Sequence, residues 1–130
     1  MKNRILILAA VTLLCQFAYS QNFVGNSRRT IVNKLQEKGY VVKSAVTKYG
    51  QQYLSVFEDE FFKAYYFNEN NECEEYICIF YNTTKEQVEQ SLYNNGYIKN
   101  SDGKFYDNTY IAEVIPYEQG NGYGVKIFLK

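Results

Sequence analysis

The sequence has no histidine and no tryptophan, a single proline, a single methionine and only three cysteines among its 130 residues. Without histidine there are no Ser–His or Cys–His nucleophile pairs and none of the usual zinc ligand sets. Basic and acidic residues number 14 each, so neither sign predominates, and no basic stripe marks a nucleic-acid partner. Long hydrophobic runs are also scarce. The one that exists, residues 5–14, is about half of the roughly 20 residues that a spanning helix needs.

That run has the surroundings of a secretory signal. Lys2 and Arg4 precede it, and Ala18-Tyr19-Ser20 places small residues at the −3 and −1 positions of a cleavage site. Residues 1–20 are therefore expected to be a cleavable signal peptide, with cleavage near Ser20-Gln21. The mature chain is expected to be periplasmic or secreted, with no transmembrane span. Cys15 follows Leu14, where a lipoprotein signal carries a small residue, so lipid anchoring at Cys15 is not expected. Residues 21–130 suit one domain with one modest core. Lys2 and Arg4 leave with the signal, which takes the balance to 12 basic against 14 acidic residues.

Of the cysteines, Cys73 and Cys78 remain. If 73–78 is one strand, its ends are about 16 Å apart and point to opposite faces. A disulfide needs Cα atoms within about 7 Å, so two free thiols are expected.

What is present is an internal repeat. Leu35, Gly39 and Tyr40 recur 57 residues later as Leu92, Gly96 and Tyr97. The same spacing aligns Ser27 with Thr84, Arg28 with Lys85 and Ile31 with Val88. It also aligns Tyr49 with Tyr106, Tyr53 with Tyr110 and Leu54 with Ile111. At a shorter spacing Ile77, Ile79 and Phe80 match Val125, Ile127 and Phe128. Such self-similarity points to two copies of one supersecondary unit, about 26–81 and 82–130.

Each unit opens with a helix. Ser27 caps the first, Ile31, Val32 and Leu35 form its apolar stripe, and Gly39 ends it. Thr83 or Thr84 caps the second with Glu86 or Gln87, Val88 and Leu92 share its inner face, and Gly96 ends it. Strand-like segments rich in Val, Ile, Tyr and Phe follow at 41–48, 52–58, 61–68 and 74–81, and again at 97–100, 104–107, 110–117 and 123–129. The turns between them are short, which forces antiparallel pairing. Pro116 suits an edge or a strand end. The expected fold is α+β: two helix-plus-antiparallel-hairpin repeats forming one antiparallel sheet, with both helices on one face. Residues 61–67 are apolar on both alternations, so that strand should put aromatics on both faces of the sheet.

The stretch Asn82-Thr83-Thr84-Lys85-Glu86-Gln87-Val88-Glu89-Gln90-Ser91-Leu92 resembles a helix opening found in two families: the small outer-membrane assembly lipoproteins and the β-lactamase-inhibitor-protein-like domains. The second family is similar also in being a tandem of helix-plus-antiparallel-sheet units. The resemblance implies binding of other proteins through an exposed, aromatic-rich sheet face. It carries over no individual functional residue.

Local chemistry is sparse. Glu72, Glu74 and Glu75 flank the two cysteines, but the facing of the thiols argues against a metal site. Asn100-Ser101-Asp102-Gly103 with Asp107 has too few carboxylates for a calcium loop and reads as a hairpin turn. Glu58-Asp59-Glu60 reads as a solvated turn. Gly120, Gly122 and Gly124 precede no helix that could receive a phosphate, and read as a flexible hairpin loop. Asn82-Thr83-Thr84 matches a glycosylation acceptor but is used as a helix cap. No cofactor is expected, and no catalytic constellation is recognisable.

The one excess is tyrosine, 14 in all. Tyrosine favours strands, but it is also enriched in recognition surfaces. Tyr49, Tyr53, Tyr65, Tyr106 and Tyr110 are the candidate binding residues, because four of them are matched across the repeat. The expectation is an exported, non-catalytic binding module of the bacterial cell envelope, with a protein or envelope polymer as partner. The alternatives are a carboxylate-dependent hydrolase acting on envelope polymers and a structural assembly protein joined by strand addition.

Overall fold

Two ten-residue helices form where local capping dictates, α1 (Arg28–Glu37) and α2 (Lys85–Asn94), in a computed structural model that describes residues 23–130. The signal segment and Cys15 lie outside the described residues. Ser27 Oγ accepts from the Thr30 N–H. Thr84 makes a full capping box: its Oγ1 accepts from the Gln87 N–H at 3.2 Å, and its own N–H donates to Gln87 Oε1 at 2.9 Å. Both helices stop in the same way. Gly39 and Gly96 sit at φ +84° and +88°, where a side chain is strained. The N–H groups of Tyr40 and Tyr97 then reach back to the carbonyls of Leu35 and Leu92, at 3.1 and 3.0 Å.

Four strands follow each helix. After α1 come β1 (Lys43–Val46), β2 (Gln52–Phe57), β3 (Phe61–Phe67) and β4 (Cys73–Tyr81). After α2 come β5 (Ile98–Lys99), β6 (Phe105–Tyr106), β7 (Tyr110–Pro116) and β8 (Gly122–Leu129). All eight make one antiparallel sheet in the order β1-β2-β3-β4-β8-β7-β6-β5. The fold is therefore α+β.

The ladder registers assign each side chain to a face. On one face Leu54, Tyr65, Tyr76, Ile127, Ala112 and Phe105 form a row across β2, β3, β4, β8, β7 and β6. With Val56, Cys78 and Val125 from the next row, they join Ile31, Leu35, Val88 and Leu92 in one buried cluster. Side-chain and backbone ties hold the helix starts to this layer. Thr83 Oγ1 donates to the Phe80 carbonyl at 2.7 Å and accepts from the Tyr123 N–H at 3.1 Å. The Arg28 N–H bonds the Asn71 carbonyl at 2.9 Å, and the Cys73 N–H bonds that of Asn26 at 2.8 Å.

Several sequence expectations need correction. Gly122 and Gly124 belong to β8, and only Gly120 stands in the loop. A Cβ at Gly124 would lie 2.1 Å from the Cys78 carbonyl oxygen and 2.6 Å from Ile79 Cδ1, so glycine is what lets β8 approach β4 here. Cys73 and Cys78 do not end on opposite sides, because an irregularity in the β3–β4 ladder at Tyr66/Phe67 shifts the alternation. Both thiols enter the same buried cluster, and both are free.

The strand part of the 57-residue alignment also fails. The β2–β3 turn closes through Glu58 N–H to the Phe61 carbonyl, and the β6–β7 turn through Asp107 N–H to that of Tyr110, 49 residues on. The β1–β2 turn (Thr47 N–H to Gln51 carbonyl, Gly50 N–H to Thr47 carbonyl) has the same bonds as the β5–β6 turn (Asn100 N–H to Lys104 carbonyl, Gly103 N–H to Asn100 carbonyl). The β1–β2 hairpin is thus four residues longer in each strand, and the spacing falls from 57 to 49 across it. Tyr106 therefore corresponds to Phe57 and Tyr110 to Phe61. Tyr53 and Tyr110 face opposite sides of the sheet, as do Ile77 and Val125. A slip of one residue in the pairing reverses the facing of every side chain.

Candidate functional site

The second face of the sheet carries no helix residue from the buried cluster, yet it is rich in large apolar side chains. One row crosses all eight strands: Ala45, Tyr53, Tyr66, Glu75, Phe128, Ile111, Tyr106 and Ile98. Another runs Phe57, Phe62, Ile79, Gly124 and Ile115. Most of these are half-buried, but Phe57 is 61% and Ile98 68% exposed.

The rings are paired across strands. Tyr53 and Tyr66 stack with centroids 5.2 Å apart and planes at 25°, and Phe57 and Phe62 at 5.6 Å and 15°. Each pair is also a directly opposed cross-strand pair, the contact that stabilises a sheet most. Rings stacked on one another stand upright on the sheet and show edges and hydroxyls outward. Desolvation, then the neighbouring Tyr53 and Glu75, raises the Tyr66 pKa, so its phenol stays protonated.

Two ion pairs lie on this face, and two further lysines, Lys43 and Lys130, reach over the Phe57 and Tyr106 rings, each 5.9 Å from the centroid. Lys126 Nζ lies 3.0 Å from Glu75 Oε1, and Lys104 Nζ 3.3 Å from Glu113 Oε1. The hydrogen bond from Lys126 to Glu75 raises the lysine pKa. At the β6 end the Tyr106 hydroxyl donates to Asp102 Oδ2 at 2.5 Å. That bond raises the Tyr106 pKa and lowers that of Asp102. These exposed pairs add little stability.

The five candidate tyrosines separate in this fold. Tyr53 and Tyr106 lie on the open face, in one row but on β2 and β6, five strands apart in the sheet order. Tyr49 sits in the β1–β2 turn, 86% exposed, with Lys48 Nζ 5.0 Å from its ring centroid. Its surroundings are a shallow polar cleft of about 500 Å³ lined by Gln51, Gln52, Asn68, Glu69 and Glu74. Tyr65 and Tyr110 do not belong to an exposed patch. Tyr65 is fully buried on the covered face, 5.0 Å from the Tyr76 ring and 5.6 Å from Phe23. Tyr110 packs against the same cluster. Matching to Tyr53 at 57 residues selects Tyr110, and that spacing does not hold in the strands; Tyr65 is a candidate without a match. The residues it overlooks are Phe57, Phe62, Tyr66, Phe128 and Ile111. Strict alternation from the buried Phe61, Lys63 and Tyr65 would have found Phe62 and Tyr66.

The chemically active groups are inward. Lys63 is fully buried on the covered face, with its Nζ 5.0 Å from the Phe61 ring and 5.4 Å from Tyr40. Burial lowers its pKa to about 8. Burial also pushes the thiols up, Cys73 to about 12 and Cys78 to about 11, which makes both poor nucleophiles. Glu58, Asp59 and Glu60 are exposed in the β2–β3 turn.

No helix among the described residues is long and apolar enough to cross a membrane. Comparison with family models, with characterised proteins and with solved structures finds no match to this chain.

Proposed function

We propose that this chain is an exported, non-catalytic module of the cell envelope that binds another protein through the open face of its sheet. The observation that carries this is the aromatic surface centred on Tyr53, Tyr66, Phe57 and Phe62, half-exposed and without a covering layer. An apolar area of that kind is what a protein partner buries in an interface core.

The architecture supports the reading. On this reading both helices lie on the face of the buried cluster, which Ile31, Leu35, Val88 and Leu92 join, and no helix among the described residues lies on the other. The like helix stops and the shared bonds of the first two turns in each half fit one ancestral helix-and-hairpins unit, duplicated and fused. The likeness to tandem β-lactamase-inhibitor-protein-like domains points the same way.

The test is capture of partners from envelope extract by wild type and by Phe62→Lys, with Tyr49→Ala as a control outside the face. A buried ammonium in an interface core should cost 100-fold or more in affinity, about 3 kcal/mol. A partner lost with Phe62→Lys and kept with Tyr49→Ala supports the proposal. A partner retained by Phe62→Lys counts against it.

A further inference from the structure

The two halves differ at one place that the face does not explain. In the first half, β3 is flanked along its length by β2, from Phe57–Phe62 to Tyr53–Tyr66. In the second, β7 is flanked by β6 only at Ile111 and Ala112. The β5–β6 hairpin turns back at Asn100–Lys104, four residues earlier in each strand than its counterpart. The edge of β7 from Val114 to Pro116 therefore has β8 on one side and, among the described residues, no strand on the other.

We infer that this edge accepts an extended segment of a partner polypeptide as an added antiparallel strand, in the slot that Gln52, Tyr53 and Leu54 of β2 fill in the first half. The inference rests on backbone geometry and is independent of the proposal for the open face.

The hydrogen-bond pattern sets the register. Asp107 and Tyr110 form a bonded pair across the β6–β7 turn. Bonded positions alternate along an antiparallel strand, so Ala112 and Val114 also direct their N–H and C=O groups to this side. Ala112 faces Phe105, while Val114 has an empty position beside it. In the first half the corresponding residue is Tyr65, paired with Leu54. Pro116 turns the same way but offers only a carbonyl. An incoming strand thus gains two bonds at Val114 and one at Pro116, and the missing donor limits it to about three residues.

Side chains set the chemistry of the occupant. Val114 packs against the buried cluster, so the residue opposite it should be apolar, as Leu54 is. Ile115 belongs to the open face, in the row with Phe57, Phe62, Ile79 and Gly124. The occupant's residue opposite Ile115 extends the open face and can be aromatic, like Tyr53 opposite Tyr66. This is strand addition, with main-chain bonds for affinity and alternate side chains for specificity.

The first half supplies the probe. A peptide with the sequence of residues 51–54 (Gln-Gln-Tyr-Leu), which ends before the positions that β6 fills, carries terminal lysines for solubility and is titrated to about 1 mM into the 15N-labelled protein. The expected result is a saturating shift of the Val114 amide and at least 10-fold slower hydrogen exchange there. The same peptide N-methylated at its leucine lacks the donor opposite Val114 and should bind at least 10-fold more weakly. Because that change is in the peptide, the folding of the protein is not in question. Phe62→Lys should leave binding of the peptide unchanged. A Val114 amide that neither shifts nor gains protection overturns the inference. Equal binding of the N-methylated peptide, or perturbation centred on the β1 edge at Ser44 and Val46, overturns it as well.

Discussion

Lys63 stands directly opposite Cys78 in the β3–β4 ladder, so a lysine and a thiol share the covered face of the sheet with Tyr65 and Tyr76 as neighbours. The ammonium is held beside the Phe61 and Tyr40 rings, a favourable contact that only partly offsets its removal from water.

Stability should therefore rise with pH in a window set by this residue. The folded pKa is about 8 and the ordinary value 10.5. Between the two, the unfolded chain holds the proton and the folded chain does not, so raising the pH favours folding. The penalty is full below about pH 8 and gone above about 10.5, with an amplitude of roughly 3 kcal/mol. Urea unfolding of wild type against Lys63→Met across this range reads the effect. The variant should be about 1–3 kcal/mol more stable at pH 7, with the difference vanishing by about pH 10.5. A difference independent of pH would refute the assignment.

The two glycines of β8 should be intolerant. Gly124→Ala drives a Cβ into the Cys78 carbonyl, and Gly122→Ala puts one 2.4 Å from the Phe80 carbonyl at φ +146°. Each should cost about 3 kcal/mol or prevent folding. Gly120→Ala meets only the movable Tyr117 ring and should stay within about 0.5 kcal/mol of wild type. Thermal melts of the three variants make the comparison.

The thiols should be silent in the folded protein. Burial that raises their pKa also excludes reagent, so iodoacetamide at pH 8 should label neither Cys73 nor Cys78 until urea unfolds the chain. Mass spectrometry of a native labelling reaction checks this. Rapid labelling of either would mean that the β3–β4 ladder opens.

Helix caps should contribute comparably in the two halves. Ser27→Ala and Thr84→Ala should each destabilise by about 1 kcal/mol. Thr84 should lose slightly more, since its reciprocal bond with Gln87 goes too. A cap worth nothing in one half would show that its helix end is held by other contacts.

The helices are legible in the sequence because caps and stops are local chemistry. Ser27, Thr84, Gly39 and Gly96 fix the ends with bonds to residues no more than five positions away. The strands are legible as existing, and the sheet as antiparallel, because the turns are short. Which face a residue occupies is less legible. The eight-residue difference between the β1–β2 and β5–β6 hairpins changes the repeat spacing without leaving a mark in composition. Tyr110 therefore reads as a surface candidate when it packs inward, and Tyr65 does so because residues 61–67 are apolar on both alternations. The same shortening reduces β5 and β6 to two residues each and bares β7, a pairing outcome that no local propensity encodes. Lys63 is illegible for another reason: a lysine in a Phe-Phe-Lys-Ala-Tyr-Tyr-Phe run suggests a solvent-facing position, whereas its alternation with Phe61 and Tyr65 places it inside.

The most direct test places a photo-crosslinking phenylalanine derivative at Tyr66, on the open face, and at Asn94, at the end of α2, and irradiates each protein in envelope extract. A discrete protein adduct from position 66 and none from position 94 is the expected result. Adducts from position 94 alone, or none from 66 while partners are still captured, would contradict a docking role for the uncovered side of the sheet.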